Sequence, residues 1–286
     1  MKSLLKTLFR ISAWLGVFLG IVLFILYLVQ GYFVYPGRAI YRGENPEWQE
    51  RVTLGTITGY SSVQVESSDR QSTIHGLWSG ANGKGAPAIL WFHGNDEGLA
   101  EIGYQLKPMR EMGYNIFAME YRGFGRSTGA PSEKGLLADA EAVYDYLEEQ
   151  GEIRSGKIVA GGRSLGASVA LELAASRDCA AVVMLTPFTT LPDFMKQRFP
   201  WIPVGYLVSD RYDALALLRD APAPVFIAIG PKDPYHTLAM AEALAAAGGD
   251  SVKTYSVPGA GYDDFFSKGG SDLWDEVSTF IDKNTR

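Results

Sequence analysis

The stretch KIVAGGRSLGASVALELAA, residues 157–175, decides the fold predicted for this chain of 286 residues. Its first part, Lys157 to Gly161, is short, apolar and partly β-branched, as a buried parallel strand should be. Its second part, Leu165 to Ala175, is rich in alanine and leucine and predicts a helix. The residues between, Gly162 to Gly166, have the form G-x-S-x-G, in which two glycines leave room for neighbouring backbone at a sharp turn. The pattern therefore places Ser164 on a tight bend between a strand and a helix.

A serine on such a bend is a candidate nucleophile. The N-terminus of the following helix faces the hydroxyl, so the Leu165 amide can donate to a negatively charged oxygen that develops beside it. An alcohol reacts weakly unless a neighbouring base accepts its proton. Ser164 therefore needs a partner from elsewhere in the chain.

Apolar strands and amphipathic helices alternate on both sides of this unit. A helix capped by Ser132 carries apolar residues at helical spacing from Leu136 to Leu147. Further strands are predicted at Ser72 to Trp78, Ala86 to Phe92, Asn115 to Glu120, Ala180 to Leu185, Val225 to Gly230 and Val252 to Val257, and further helices at Leu238 to Ala247 and Leu273 to Ile281. This alternation predicts an α/β fold built on a doubly wound, mostly parallel sheet.

Two loops resemble those of the α/β-hydrolase superfamily. His93-Gly94-Asn95 follows an apolar strand and resembles the H-G-x oxyanion loop, and Tyr121 to Ser127 resembles the Y-R-G-x-G-x-S turn. The resemblance runs from roughly Val52 to the C-terminus and is closest to the membrane-anchored, small-cap branch described as serine aminopeptidase-like. It implies that the Asn95 amide is the second oxyanion donor. It also implies a serine hydrolase that cleaves an ester, thioester or amide.

The same resemblance implies an acid and a base. The family's acid follows the strand after the cap in a G-x-x-D pattern, which Gly230 to Asp233 matches. The family's base is the histidine of a G-x-x-H motif, and this chain has Tyr262 there. A phenol with a pKa near 10 accepts a proton poorly at neutral pH. The expected catalytic set is Ser164, Asp233 and the position held by Tyr262, with Leu165 and Asn95 as the oxyanion donors.

The chain has three histidines, and one of them could replace the missing base. His75 lies in an early strand and His93 in the oxyanion loop, so both are expected to be structural. His236 follows Asp233 by three residues on the same loop. The simpler interpretation is a loop histidine touching solvent; the alternative is a substitute base that reaches Ser164 Oγ. With no base, the chain would be an impaired or inactive relative that binds an apolar ligand at the membrane surface.

Two carboxylates, Asp96 and Glu97, follow the oxyanion loop. They would oppose a developing oxyanion unless they turned outward. We expect them to cap a helix that begins near Gly98, since acidic side chains are favoured at helix N-termini.

The N-terminal segment predicts a membrane anchor. Ile11 to Val29 is nineteen residues without a charge, enough to cross about 30 Å of hydrocarbon, and aromatic residues follow it. We expect an uncleaved anchor at 1–36, a linker at 37–51 and a hydrolase domain at 52–286. Basic residues before the span favour a cytoplasmic N-terminus and an extracytoplasmic domain. The irregular, aromatic-rich segment 187–221 predicts a small cap over the site.

Composition excludes several other classes. The net charge of −6 and the absence of a basic patch argue against nucleic-acid binding. The lone Cys179 forbids an internal disulfide, and the sequence has no metal-ligand spacing, P-loop or dinucleotide fingerprint. We therefore expect no cofactor and no metal. The expected partners are a small acyl or peptide substrate and a membrane contacted through residues 11–29.

Overall fold

The computed structural model describes residues 2–40, 59–80, 85–149, 153, 157–201, 207–221 and 223–285. Eight strands lie within these ranges: β1 Ser61–Glu66, β2 Thr73–Ser79, β3 Ala88–Phe92, β4 Asn115–Met119, β5 Ile158–Arg163, β6 Ala181–Leu185, β7 Val225–Ile229 and β8 Val252–Ser256. The helices are α1 Lys2–Val34, α2 Gly37–Ile40, α3 Leu99–Gln105, α4 Lys107–Glu111, α5 Glu133–Glu149, α6 Leu165–Ser176, α7 Leu191–Arg198, α8 Ala214–Leu218, α9 Leu238–Gly248 and α10 Phe265–Asn284.

The strands form one sheet in the order β1-β2-β4-β3-β5-β6-β7-β8. The pairs β1–β2 and β2–β4 are antiparallel, and every pair from β4 to β8 is parallel. Strands β3 to β7 are buried along their whole length because helices cover both faces. Apolar side chains of α5, α6 and α9 pack on one face, and those of α3, α4 and α10 pack on the other. The prediction of a doubly wound, mostly parallel sheet is confirmed.

One strand was missed, and the start of one helix differs from that expected. Strand β1 was not predicted, because it lies at the sheet edge and most of its side chains are polar or exposed. The last helix begins at Phe265 rather than at Leu273. Gly270, with φ of +49°, kinks that helix and interrupts its apolar periodicity. The helical pattern in the sequence is therefore clear only after the kink, and the first turns of the helix were not predicted.

By its length and composition, helix α1 could cross a membrane. An N-terminal signal sequence has the same length and composition. Its apolar part runs from Lys6 to Val34 with a mean hydropathy of 2.5. The start of the predicted linker forms helix α2, and its remainder, residues 41–51, lies outside the described residues, as do 52–58 of the expected hydrolase domain. In the expected cap, helices α7 and α8 are described and residues 202–206 are not.

Candidate active site

Ser164 lies on a strained turn between β5 and α6. Its backbone has φ of 51° and ψ of −114°, a conformation that residues with a side chain rarely adopt. A methyl group added at Gly162 would overlap the backbone of Gly166, and one added at Gly166 would overlap the backbone of Phe92 at the end of β3. The two glycines are therefore required sterically, as the sequence pattern predicts. The turn is held to the sheet by a hydrogen bond of 2.9 Å from Ser164 N to Leu185 O.

His236 lies directly beside the serine. Its Nε2 is 2.9 Å from Ser164 Oγ, and its Nδ1 is 3.0 Å from Asp233 Oδ2. The side chain is buried, with 2% of its surface exposed, so the expectation of a loop histidine touching solvent is wrong. Because an ionised carboxylate only accepts hydrogen bonds, Nδ1 carries the ring proton and Nε2 is left to accept from the serine hydroxyl.

The short loop from Asp233 to His236 explains how three residues of spacing suffice. One carboxylate oxygen, Oδ1, accepts hydrogen bonds from the Tyr235 and His236 amides at 2.8 and 2.9 Å. This turn leaves Oδ2 facing the imidazole. Burial raises the pKa of the Asp233 carboxyl, but the hydrogen bond and charge of His236, together with these amides, outweigh burial and lower the pKa overall. Asp233 is thus ionised at neutral pH.

The Tyr262 hydroxyl is close enough to hydrogen-bond with Ser164, but Tyr262 does not have the properties of a base. Its ring stacks on the His236 imidazole with centroids 4.9 Å apart and an interplanar angle of 17°. Burial raises the pKa of the phenol well above its ordinary value, so the hydroxyl stays protonated at neutral pH. Phe194 of α7 is also stacked with the imidazole, at a centroid distance of 5.0 Å. The aromatic ring of Phe194 in α7 and that of Tyr262 in the loop before α10 therefore fix the orientation of the imidazole.

Arg163 and Glu97 form an ion pair beside this stack. Arg163 Nη1 donates to Glu97 Oε1, and the guanidinium carbon lies 3.9 Å from the Tyr262 ring centre. Glu97 also accepts from the Gly94 amide at 2.8 Å and from Gln105 Nε2 at 3.0 Å. The expectation that Glu97 caps a helix is wrong, because its carboxylate turns inward to hold the oxyanion loop. Arg163 offsets the negative charge that would otherwise oppose an oxyanion.

Both expected oxyanion donors are near the serine, since Leu165 follows it directly in the chain and Asn95 lines the same cavity as Ser164. Leu165 is the first residue of α6, so its amide has no acceptor within the helix. Asn95 follows β3 in a loop whose backbone is held by Tyr121 Oη, which donates to His93 O at 2.6 Å, and by a contact of 2.7 Å between His93 Nδ1 and Gly94 O. His93 therefore has the structural role expected of it.

His75 is also structural. Its Nε2 lies 2.7 Å from Ser62 Oγ of β1, and burial lowers the pKa of the imidazole to about 4. The ring is therefore neutral at physiological pH. It lies in β2, outside the residues that line the site.

Ser164 and His236 both line a cavity of about 430 Å³. The remaining lining residues come from the end of α1, the oxyanion loop, the cap, the 235 loop and the 262 loop: Tyr32, Phe33, Pro36, Asn95, Asp96, Phe194, Met195, Arg198, Phe199, Tyr235, Tyr262 and Asp263. Asp96 is exposed and faces this cavity. Within the described parts of the chain, no group of histidine, cysteine and acidic side chains could hold a metal ion.

Comparison with known proteins shows the family of this chain. The family model for serine aminopeptidase, S33, matches residues 84–212. An uncharacterized protein of Mycobacterium tuberculosis is 31% identical over 219 residues, which cover 77% of this chain and 78% of that protein. The chain belongs to the α/β-hydrolase superfamily. The match to the family model ends before the loop that holds Asp233 and His236, so the family model covers neither of these two residues.

Solved structures of other α/β-hydrolases show the same fold. An α/β-hydrolase from Vibrio vulnificus superposes with a TM-score of 0.72 at 18% identity, covering 87% of this chain and 91% of that one. An esterase from Pyrococcus furiosus superposes with a TM-score of 0.67 at 19% identity, covering 79% and 92%. The family and the fold support a hydrolase function in general terms.

Sequence reasoning named most of the residues that meet at the site. Ser164, Asp233, His236 and Tyr262 come together as a contiguous group. It missed Arg163, which occupies the variable position of the G-x-S-x-G pattern. One signal in the sequence could have indicated this ion pair: Arg163 lies within the G-x-S-x-G motif, and Glu97, of opposite charge, lies just after the H-G-x motif.

Proposed function

We propose that this α/β-hydrolase is an active serine hydrolase that cleaves an ester, thioester or amide by acyl transfer through Ser164. The base is His236, and Asp233 orients it. The observation that carries the proposal is the unbroken line of contacts from Ser164 Oγ to His236 Nε2 at 2.9 Å and from His236 Nδ1 to Asp233 Oδ2 at 3.0 Å. These are the contacts that an activated serine requires.

In the proposed mechanism each group has one step. His236 Nε2 accepts the hydroxyl proton as Ser164 Oγ attacks the substrate carbonyl carbon. The amides of Leu165 and Asn95 donate to the oxygen that becomes negative. The protonated imidazole then gives its proton to the leaving group. A water molecule, deprotonated by the same Nε2, attacks the acyl-enzyme and releases the acid.

The relocation of the base accounts for Tyr262. A loop three residues after the acid supplies the imidazole, and the phenol at the family's usual position supplies a flat surface against it. The alternative, an inactive relative that binds an apolar ligand, depends on position 262 alone. It gives no role to the buried contact between His236 and Ser164.

A fluorophosphonate probe tests the proposal, because it labels only an activated serine. We expect labelling of the unaltered chain, none of Ser164→Ala, and at least a hundredfold slower labelling of His236→Asn, since a missing base removes most of the activation. Tyr262→Phe is the matched control and should still be labelled. An unlabelled native chain would establish the inactive alternative. Labelling that survives His236→Asn unchanged would remove His236 from the mechanism.

We further propose that α1 is an uncleaved, single-pass anchor with its N-terminus in the cytoplasm and the hydrolase domain outside. The burial of Val34 and Tyr35 in the hydrolase core supports retention of the helix, because cleavage after the apolar segment would strip the core of both side chains. Residues 1–36 are then an anchor whose last turn is shared with the hydrolase domain. Protease protection of the C-terminal domain in sealed inverted vesicles tests the orientation.

A further inference from the structure

The end of α1 is bonded to the oxyanion loop. Asn95 Nδ2 donates to Val34 O at 2.9 Å, and Gly37 N donates to Asn95 O at 3.0 Å. Asn95, whose amide is a proposed oxyanion donor, is thus hydrogen-bonded through its side chain and its carbonyl to the residues at the end of α1. The catalytic centre therefore lies next to the end of the segment proposed to span the membrane.

The same helix end forms a wall of the active-site cavity. Tyr32, Phe33 and Pro36 line it from the α1 side. Met195 and Phe199 line it from the cap side, and Phe33 and Phe199 meet edge to face with ring centres 5.9 Å apart. The end of α1 and helix α7 with Phe199 thus form two facing walls of the cavity that holds Ser164.

An apolar crevice continues from this cavity along α1. It is lined by Leu26, Gln30, Phe33, Met195, Phe199, Leu207 and Val208, three of which also line the active-site cavity. The one polar side chain among them, Gln30, is already engaged, since its Oε1 accepts from Ser209 N at 2.7 Å and its Nε2 donates to Tyr27 O at 2.9 Å. The crevice thus offers an apolar surface with its polar member satisfied internally.

The position of the crevice along α1 determines which part of a bilayer it would face. Leu26 lies eight residues before Val34 in an unbroken helix, so it is roughly 12 Å along the axis from the end of the apolar segment. With α1 in a bilayer, the far end of the crevice opens at the depth of the acyl chains, and Ser164 lies near the interface. The crevice measures about 20 Å³ in this structure, so an incoming chain must displace the flexible side chain of Met195 and the ring of Phe199.

Resting on the proposed function, we infer that the substrate is a long-chain acyl ester of a membrane lipid, which enters from the bilayer between α1 and the cap. Its acyl chain lies along Leu26, Phe33 and Phe199, and its carbonyl reaches Ser164. The bond from Ser164 Oγ to the acyl carbon forms, the ester C–O bond breaks, and the lipid alcohol leaves with the proton from His236. Water then releases the fatty acid. A chain following this route never crosses water, which favours a lipid over a soluble peptide.

The test uses the full chain in phosphatidylcholine vesicles. The measured quantity is kcat/KM for the palmitoyl ester of p-nitrophenol divided by that for the butyryl ester. Leu26→Trp fills the crevice and should lower this ratio about tenfold or more, since a blocked subsite removes binding of the distal chain. Leu28→Trp is the matched control on an exposed part of the same helix and should leave the ratio within about twofold. Equal ratios in all three proteins would overturn the inference.

A second measurement distinguishes the source of the acyl chain. Palmitoylglycerol in the vesicles and an S-palmitoylated peptide are offered separately. Hydrolysis of the lipid supports the inference, and hydrolysis of the peptide alone overturns it. If Ser164-dependent hydrolysis of the butyryl ester occurs with no preference for the palmitoyl ester, this inference fails and the proposed function stands. If neither ester is hydrolysed, both fail.

Discussion

Tyr262 contacts His236, the proposed base, through its ring, while its hydroxyl lies beside Ser164. The ring and the hydroxyl can therefore be tested separately. The ring is stacked with the His236 imidazole and is covered by the Arg163 guanidinium. The imidazole is also stacked with Phe194 of α7, so its orientation is set by aromatic rings from a helix and from a loop in addition to the Asp233 carboxylate. If His236 is the base, as proposed, an imidazole held in this way needs no rearrangement before it accepts a proton.

The stack predicts a difference between two substitutions at one position. Tyr262→Phe keeps the ring and should retain kcat for a p-nitrophenyl ester within about threefold, whereas Tyr262→Ala frees the imidazole and should lower kcat about tenfold to a hundredfold. Steady-state kinetics measures kcat for both variants, and thermal unfolding of both is the control for folding. A loss in Tyr262→Phe as large as that in Tyr262→Ala would assign the contribution to the hydroxyl instead.

The ion pair beside the oxyanion loop predicts a rescue. Arg163→Gln leaves the buried Glu97 carboxylate without its partner next to the position where negative charge develops, and it should lower kcat/KM about tenfold or more. Adding Glu97→Gln removes that charge and should restore part of the loss. Kinetics of the two single variants and the double variant measure the coupling. Strictly additive losses would show that the two side chains act independently.

At the scale of secondary-structure elements, the cap is fastened to the hydrolase core by acidic side chains. Glu133 at the start of α5 accepts from the Tyr212 amide at 2.7 Å. Tyr35, just after α1, donates to Asp210 at 2.6 Å and lies 2.9 Å from the Tyr212 hydroxyl. Glu172 of α6 lies beside this group, and burial, followed by the charge of Glu133, raises the pKa of its carboxyl to about 9.

The raised pKa of Glu172 predicts a pH dependence of stability. The folded protein keeps this carboxyl protonated up to about pH 9, whereas the unfolded chain releases the proton near its ordinary pKa of about 4.3. Between these values the folded state binds more protons, so the free energy of unfolding falls as the pH rises. Glu172→Gln should flatten this slope and raise Tm at pH 8 by a few degrees. Thermal unfolding between pH 5 and 9 measures it, with the exposed Glu242→Gln as the variant that should keep the native slope.

The same elements show which parts of the structure could be predicted from the sequence. Strands β3 to β7 are continuous apolar runs and helix α6 follows a distinctive turn, so local pattern predicts the sheet and the position of Ser164. A local motif of the same kind, G-x-x-D, predicts Asp233 as a site residue. The meeting of His236 with Ser164, and of Arg163 with Glu97, joins loops far apart in the chain, and no spacing rule encodes such pairs. The edge strand β1 was missed because a strand with one buried side chain has little periodicity to detect.

At the scale of the whole molecule, helix α1 and the sheet that it packs against are not separable at residue 36. Val34 and Tyr35 belong to the hydrophobic core of the sheet, with 1% and 2% of their surfaces exposed, and Val34 O accepts the Asn95 side chain. The boundary expected from composition follows the end of the apolar run. The packing boundary lies earlier in the chain, because the last turn of α1 already contacts the domain.

This packing predicts opposite outcomes for two truncations. A chain that begins at Leu26 keeps Val34 and Tyr35 and should unfold near the Tm of the full protein in detergent. A chain that begins at Pro36 loses the burial of two apolar side chains, about 3 kcal/mol or more, because that much transfer free energy accompanies them into the core. For a domain of this size the loss corresponds to a Tm lower by roughly 6–12 °C. Since Asn95 also loses its contact with Val34 O, fluorophosphonate labelling of Ser164 should slow in the shorter chain alone. Equal Tm and equal labelling rates in the two truncated chains would show that α1 is a detachable tether.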